Sequence, residues 1–466
     1  MSITVENSST YITALWEPVA DEIEAVNLEV IGTIPTALNG RYFRNGPNPT
    51  PGEQVDHAWS APGMLHGIRI ADGRAQWYRN RWIRTSFLDH PIDNGQQADA
   101  KDLTNHNCNP GILHHGGKIF ATADAGFPYE IGPELDTVGA CDFGGRLHTP
   151  MNTHPKIDPV TGELHFIGAT RTTTPYLTYH LLSPENNLIR SEVIDLPEPA
   201  QQHDMAITEH YVVFYDHSVL TDAAMKAYTT SPFSWSDTKQ ARIGVMPKGG
   251  TSAEVVWFPI EPTFVLHTAN AHEDAQGRVV VEVNRVTREN WDLGFARLGG
   301  AAPTTGALDM RNPVPESYLH RWVLDPKTRT VVSSRQLDER AIEFPTINND
   351  HVGRDHRYVY SIAYPRHDAR DTSYSIVKYD VTTGNNQELS FADTAVPGEA
   401  DFAASPEGSG EDEGWLISLI HPTNGDPAEL WIMDATDIGG TPTARIKLPR
   451  RVPYGFHANW IPDSDL

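Results

Sequence analysis

Four histidines sit in similar surroundings and could share one metal ion. His154 lies in Met151-Asn152-Thr153-His154-Pro155-Lys156, just before an apolar strand pattern. His203 lies in Gln202-His203-Asp204-Met205-Ala206-Ile207, also at a strand entry, and His267 lies in Phe264-Val265-Leu266-His267-Thr268-Ala269. His457 sits in the tail Val452-Pro453-Tyr454-Gly455-Phe456-His457-Ala458-Asn459-Trp460, whose aromatic residues demand burial. A buried imidazole needs a partner, and a neutral imidazole nitrogen is a common metal ligand. The four are roughly 50, 65 and 190 residues apart, whereas zinc fingers and helix-borne His-Glu-x-x-His sites place ligands within a few residues of one another. Such gaps suit ligands delivered by separate structural units to a common axis. Taken singly, each reads more readily as a core or surface histidine than as a ligand, and spacing alone does not overturn that. His57, His66, His272 and His351 read that way, and His114-His115 reads as the end of a strand before the Gly116-Gly117 turn.

The elements that must position these residues are short strands. A recurring hairpin has a turn of the type Asp-Pro-x-Thr-Gly, seen at Asp158-Pro159-Val160-Thr161-Gly162, with variants at Asp325-Pro326-Lys327-Thr328 and Asp380-Val381-Thr382-Thr383-Gly384. Pro presets the backbone angle, Asp caps the turn and Gly supplies positive φ. Further alternating runs cover 278–283, 358–362, 415–420 and 429–433; residues 222–228 are a short helix candidate. Repeated antiparallel hairpins over this length suggest a β-propeller. The blades cannot be counted from periodicity, and a barrel or stacked sandwiches remain open. The segment 405–414 reads as a surface loop, so the whole chain, 1–466, is expected to form one domain.

Composition narrows the function. The chain has 466 residues, 36 Gly and 35 Pro, with 11 Trp, 16 Tyr and 15 Phe; many turns and many aromatics favour all-β. A net charge of −25, without basic clusters, argues against nucleic acid and anionic membrane surfaces. Two cysteines, Cys108 and Cys141, make no disulfide framework, and no signal peptide or membrane span is visible. A cytoplasmic protein is therefore expected, with no protein partner implied.

The run Leu38-Asn39-Gly40-Arg41-Tyr42-Phe43-Arg44-Asn45-Gly46-Pro47-Asn48-Pro49 resembles the opening signature of the carotenoid cleavage oxygenases. Pro62-Gly63-Met64-Leu65-His66-Gly67 is similar to a second family segment, and the contexts of His154, His203, His267 and His457 each resemble one of its four iron-binding histidines. The resemblance implies a seven-bladed β-propeller with a loop and helix dome over one face, and Fe(2+) on the axis. It also implies three acidic residues hydrogen-bonded to the ligands. Two match as Glu343 and Glu399. Aligning on Phe127-Pro128-Tyr129 puts Asp124 where the family has the third glutamate. Aspartate is one methylene shorter, which predicts a hydrogen bond lost or bridged by water. His57-Ala58-Trp59-Ser60-Ala61 is a second departure from the family pattern, away from the ligands.

The implied reaction inserts dioxygen, the co-substrate, across a conjugated carbon–carbon double bond, giving two carbonyl products. No catalytic side chain beyond the metal centre is then required, and none is marked by a nucleophile motif. An apolar tunnel is expected to select the bond, with Phe127 and Tyr129 as lining candidates or core residues. Family members that cleave hydroxylated stilbenes carry a lysine before the acidic residue; here that position is Ala123. A carotenoid or apocarotenoid is the expected substrate, an apolar small molecule met with peripheral membrane contact at most. A stilbene-cleaving enzyme and an inactive binding scaffold are the alternatives.

Overall fold

The Asp-capped turns form as their chemistry demands. Asp158 Oδ1 accepts the amides of Val160 and Thr161 at 3.0 and 3.4 Å, and Gly162 takes φ +69°. Asp380 accepts Thr382 and Thr383 in the same way, at 3.1 and 2.9 Å, with Gly384 at φ +80°. Each turn connects strands of an antiparallel sheet. This computed structural model describes residues 15–53, 60–91, 102–221, 233–297, 316–366 and 373–466. The helix expected at 222–228 and His57 lie outside them.

Among the described residues, seven sheets of four or more strands form the blades of a propeller. Blade two runs from Gly111–His115 to Thr137–Ala140, and blade three from Lys156–Ile157 to Leu188–Ile194. Blade four spans Ala206–Ile207 to Val256–Pro259, blade five Phe264–Glu273 to Thr330–Gln336, and blade six Ala341–Thr346 to Asn386–Ser390. The chain's ends interlock in the other two. Blade one combines Gly40–Pro47, Gly63–Ala71, Arg74–Trp82 and Glu24–Val26 with the C-terminal strand Ala458–Pro462; blade seven takes the N-terminal strand Val30–Gly32 onto Ala444–Lys447. Such closure ties the ring with main-chain hydrogen bonds from both termini.

Apolar faces of neighbouring blades form the core. Between blades four and five, Val213, Ile243 and Phe258 pack against Val281, Trp322 and Leu324. Outer strands are polar: Thr330–Gln336 and Asn386–Ser390 are mostly exposed, which protects open edges from pairing with other chains.

In every described blade the innermost strand leads from one face of the ring, and alternation brings the connection between the second and third strands back to that same face. The long insertions therefore gather there, including the helix Arg288–Arg297 and the ribbon of Val219–Thr221 with Phe233–Trp235. A cavity of about 490 Å³ follows the axis beyond the inner strands' starts, lined by Ile157, Ile207, Asn270, Ile347, Phe402 and Trp460 among others. Among the described residues, no helix is long and apolar enough to cross a membrane.

Candidate metal centre

Each histidine enters the site at the start of an inner strand. His154 and His203 immediately precede blades three and four, His267 lies within Phe264–Glu273, and His457 precedes Ala458–Pro462. The ring brings them together: one nitrogen from each lies within 4.8 Å of all the others. Nε2 of His154 approaches Nε2 of His203 to 3.2 Å, and Nε2 of His203 approaches that of His267 to 3.3 Å. The rings of His154 and His457 stand almost perpendicular, 4.2 Å apart at 88°.

The opposite nitrogens face carboxylates. His203 Nδ1 donates to Asp124 Oδ2 at 2.6 Å, His457 Nδ1 donates to Glu399 Oε1 at 3.0 Å, and His267 Nδ1 donates to Glu343 Oε2. An ionised carboxylate only accepts, so each Nδ1 carries the hydrogen and each Nε2 is a lone pair. Lone pairs converging at hydrogen-bond distance repel one another unless a cation lies among them. This donor set fits a divalent transition metal, and the carboxylates orient and strengthen its ligands. His154, half-buried, has no carboxylate partner among the described residues.

The carboxylates are themselves fixed. Glu343 is fully buried; its oxygens accept the Phe344 amide at 2.8 Å, Ser317 Oγ at 3.1 Å and Asn284 Nδ2 at 3.3 Å. Phe344 takes φ +54°, and the pairing register breaks between Glu343 and Thr346. This bulge turns the carboxylate towards His267 while the Phe344 ring stacks on that imidazole, 5.5 Å between centroids. A bulky residue in the left-handed region is strained; packing on two ligands (the His457 ring is 5.4 Å away) and the hydrogen bond that the Phe344 amide donates to the Glu343 carboxylate offset the strain.

The expected loss of the Asp124 contact is corrected by the structure. The hydrogen bond to His203 is direct, because an isolated bridge between Ala123 and Met151 draws the aspartate inward. Thr153 holds the other oxygen with its amide and hydroxyl, at 2.8 and 2.9 Å. The shorter side chain is matched by a closer backbone.

Electrostatics keep two of the four ligands neutral. Burial, then the neighbouring imidazoles, hold His154 and His267 well below the usual imidazole range. Burial lowers His203 too, but the charge and hydrogen bond of Asp124 outweigh it and the net shift is upward. Burial raises Asp124; His203 and the Thr153 amide outweigh it and hold the carboxyl low. Glu343 is pushed up to about 7 by burial, against the donors that it accepts; a dication behind His267 acts in the opposite direction.

His457 is held by the opening signature. Its carbonyl accepts the Asn45 amide at 2.9 Å, and Arg44 donates to Pro453 O at 2.7 Å. The buried guanidinium lies against Gly455, where a Cβ would collide with Nη1. Of the proposed tunnel residues, Tyr129 is buried in a core cluster with its hydroxyl donating to Thr104 O at 2.6 Å. Phe127 is half-buried and packs on the Phe120, Phe143 and Phe166 cluster. His66 is a core residue bonded to the Tyr78 hydroxyl at 2.9 Å, and His114-His115 ends a strand at glycines with positive φ. Sequence reasoning missed Thr153, Ser317 and Asn284, which carry no local signal, and the conformation of Phe344, whose position before Pro345 and after an acidic residue was the one available hint.

Comparison with known proteins agrees with this geometry. The family model for RPE65, retinal pigment epithelial membrane protein, matches residues 16–462. A carotenoid cleavage oxygenase of Mycobacterium tuberculosis (strain ATCC 25618 / H37Rv) is 31% identical, covering 98% of this chain and 99% of its own. The carotenoid 9,10(9',10')-cleavage dioxygenase 1 of Arabidopsis thaliana is 30% identical, covering 98% and 90%. Among solved structures, cobalt-substituted Synechocystis ACO superposes with TM-score 0.81 at 26% identity, over 98% of this chain and 99% of that one. Lignostilbene dioxygenase of Pseudomonas brassicacearum shares the fold, with TM-score 0.82 at 24% identity over 99% and 100%. With seven blades, four converging imidazoles and a match along nearly its whole length, this chain belongs to the carotenoid cleavage oxygenase (RPE65) family.

Proposed function

We propose that the chain is an iron(II)-dependent dioxygenase that cleaves one conjugated carbon–carbon double bond of a carotenoid or apocarotenoid into two carbonyl products. The observation that carries the reading is the convergence of four Nε2 lone pairs, three of them fixed by carboxylates on the far side of the ring. Neutral imidazoles leave a bound dication its full charge, which suits a redox-active ion. Ferrous iron, when bound, supplies the activation of dioxygen.

The chain's own residues orient and shield. Phe344 packs against two ligand rings and keeps that side of the centre apolar. Phe233, Phe264, Leu266 and Trp291 form an apolar wall that reaches the neighbour of His267. Ala123, buried beside Asp124, offers no donor to a phenol, which favours a polyene over a hydroxylated stilbene. A substrate this apolar comes from a membrane or a carrier, so contact with a membrane is at most peripheral.

The test is aerobic incubation of iron-loaded protein with a panel of carotenoids, apocarotenoids and stilbenes, followed by product analysis. Two carbonyl fragments from a polyene are expected. Cleavage of stilbenes alone would replace the substrate, and no cleavage of anything by protein holding one iron per chain would overturn the enzyme reading.

A further inference from the structure

Arg171 stands out among the cations of the metal-bearing face. It lies in the connection between Leu164–Ala169 and Leu177–Leu182 of blade three. Its guanidinium carbon sits over the Phe233 ring, 5.0 Å from the centroid. Other partly buried arginines are answered by carboxylates: Arg242 by Asp216 at 2.7 Å, and Arg321 by Glu282. Among the described residues Arg171 has no ion pair and no hydrogen bond. It is close enough to Asp124 for each to feel the other's charge. Both Asp124 oxygens, however, are already taken by Thr153 and His203.

This is a costly arrangement for a cation. Burial lowers the pKa of Arg171, yet the side chain is only half-buried. The guanidinium is thus held against an aromatic ring while part of the side chain stays accessible. Its planar fork of N–H donors has a π face on one side, and the donors around its edge make no bond to a described residue. The wall beneath it is continuous and aromatic. Phe233 belongs to one cluster with Phe264, Trp291 and Leu266, Phe264 and Trp291 being 5.0 Å apart, and Leu266 adjoins His267. One apolar cluster therefore runs from the ring under Arg171 to the residue beside His267.

We propose that Arg171 binds an anionic end group of the substrate, a carboxylate on an otherwise apolar conjugated chain; this rests on the dioxygenase reading above. A guanidinium fork matches a carboxylate with two parallel hydrogen bonds. A phenol is neutral at pH 7, with a pKa of about 10, and cannot form that ion pair. The aromatic wall then holds the conjugated body, and the distance from Arg171 to the metal sets which double bond is presented.

The experiment is anaerobic binding of a polyene carboxylic acid and of its methyl ester to the iron-loaded protein, followed by quenching of tryptophan fluorescence. The acid is expected to bind about ten- to hundredfold more tightly than the ester, the range for a charge-assisted hydrogen-bonded pair. In Arg171→Gln the ratio should fall to about one, and Arg171→Lys should keep an intermediate ratio; iron content reports that each variant is folded. A ratio near one in the unaltered protein, or the same ratio in Arg171→Gln, overturns the assignment. Turnover in air separates the two claims. Acid preference without cleavage of any polyene leaves Arg171 standing and removes the dioxygenase; cleavage with no acid preference does the reverse.

Discussion

Lowering the pH should unfold the metal-free protein well above the ordinary carboxylate range. Six buried histidines outside the ligand set drive this. Burial, as the largest cause, lowers His106, His180 and His320 to about 4, and His165, His217 and His421 to about 3. Most are tied as neutral rings. His106 donates to Phe127 O at 2.9 Å, His421 donates to Val452 O at 3.0 Å, and His180 meets the hydroxyls of Thr149 and Ser191, both at 2.8 Å. Below about pH 6.5 the unfolded chain protonates these rings and the folded one does not. The unfolded state thus binds more protons, and stability falls as pH falls, from about 6.5 down to the folded values. Above that window both states are neutral and the term vanishes.

The magnitude is large. Each ring contributes up to ~1.4 kcal/mol per pH unit, so six give a slope on the order of 8 kcal/mol per unit. From these six alone about 8 kcal/mol is lost by pH 5.5 and about 12 by pH 5, against a net stability of roughly 5–15 kcal/mol. Glu343 and Asp401, both raised to about 7 by burial, take up protons in the folded state and return about 4 to 5 kcal/mol of this. Urea midpoints, read by tryptophan fluorescence on metal-free protein, should fall steeply between pH 6.5 and 5.5, with acid unfolding near pH 5. His165→Gln, which keeps a neutral polar group near the Tyr179 hydroxyl, should flatten the slope by about one proton. A urea midpoint that stays constant from pH 7.5 to 5.5 would refute the reasoning.

Further predictions concern the metal centre. Glu343→Gln should weaken iron binding about ten- to hundredfold in competition with a chelator; unchanged affinity would show that the carboxylate does not act on His267. Asp124→Glu should weaken iron binding by about tenfold, since the longer side chain displaces the Thr153 bonds that set the contact with His203; tighter iron binding would mean that the family's longer acid fits better. Gly455→Ala should cost about 1–3 kcal/mol in chemical denaturation by forcing Arg44 away from Pro453 O; a neutral result would remove the opening signature from the support of His457.

Much of this could be read from the residues because the signals were local. Asp158 and Asp380 cap their turns with their own side chains, within three residues, so the hairpins were visible without a fold. The histidines were marked by their place at strand entries. What stayed hidden depended on distant backbone. The blade count was obscured because inner strands such as Lys156–Ile157 and Ala206–Ile207 are only two residues long. The contact of Asp124 with His203 depends on how closely Ala123 approaches Met151, which no side-chain length can foretell. Ser317 and Asn284 reach Glu343 from another blade, and Arg171 matters for the partners it lacks among the described residues, a property that only a structure displays.

X-ray absorption at the iron edge, on protein reconstituted with one ferrous ion per chain, tests the centre most directly. Four imidazole nitrogens should surround the ion, with His203→Ala and His457→Ala each removing one or releasing the metal. An iron environment dominated by oxygen or sulfur, or one indifferent to both substitutions, would contradict the proposed convergence of His154, His203, His267 and His457 on a single ion.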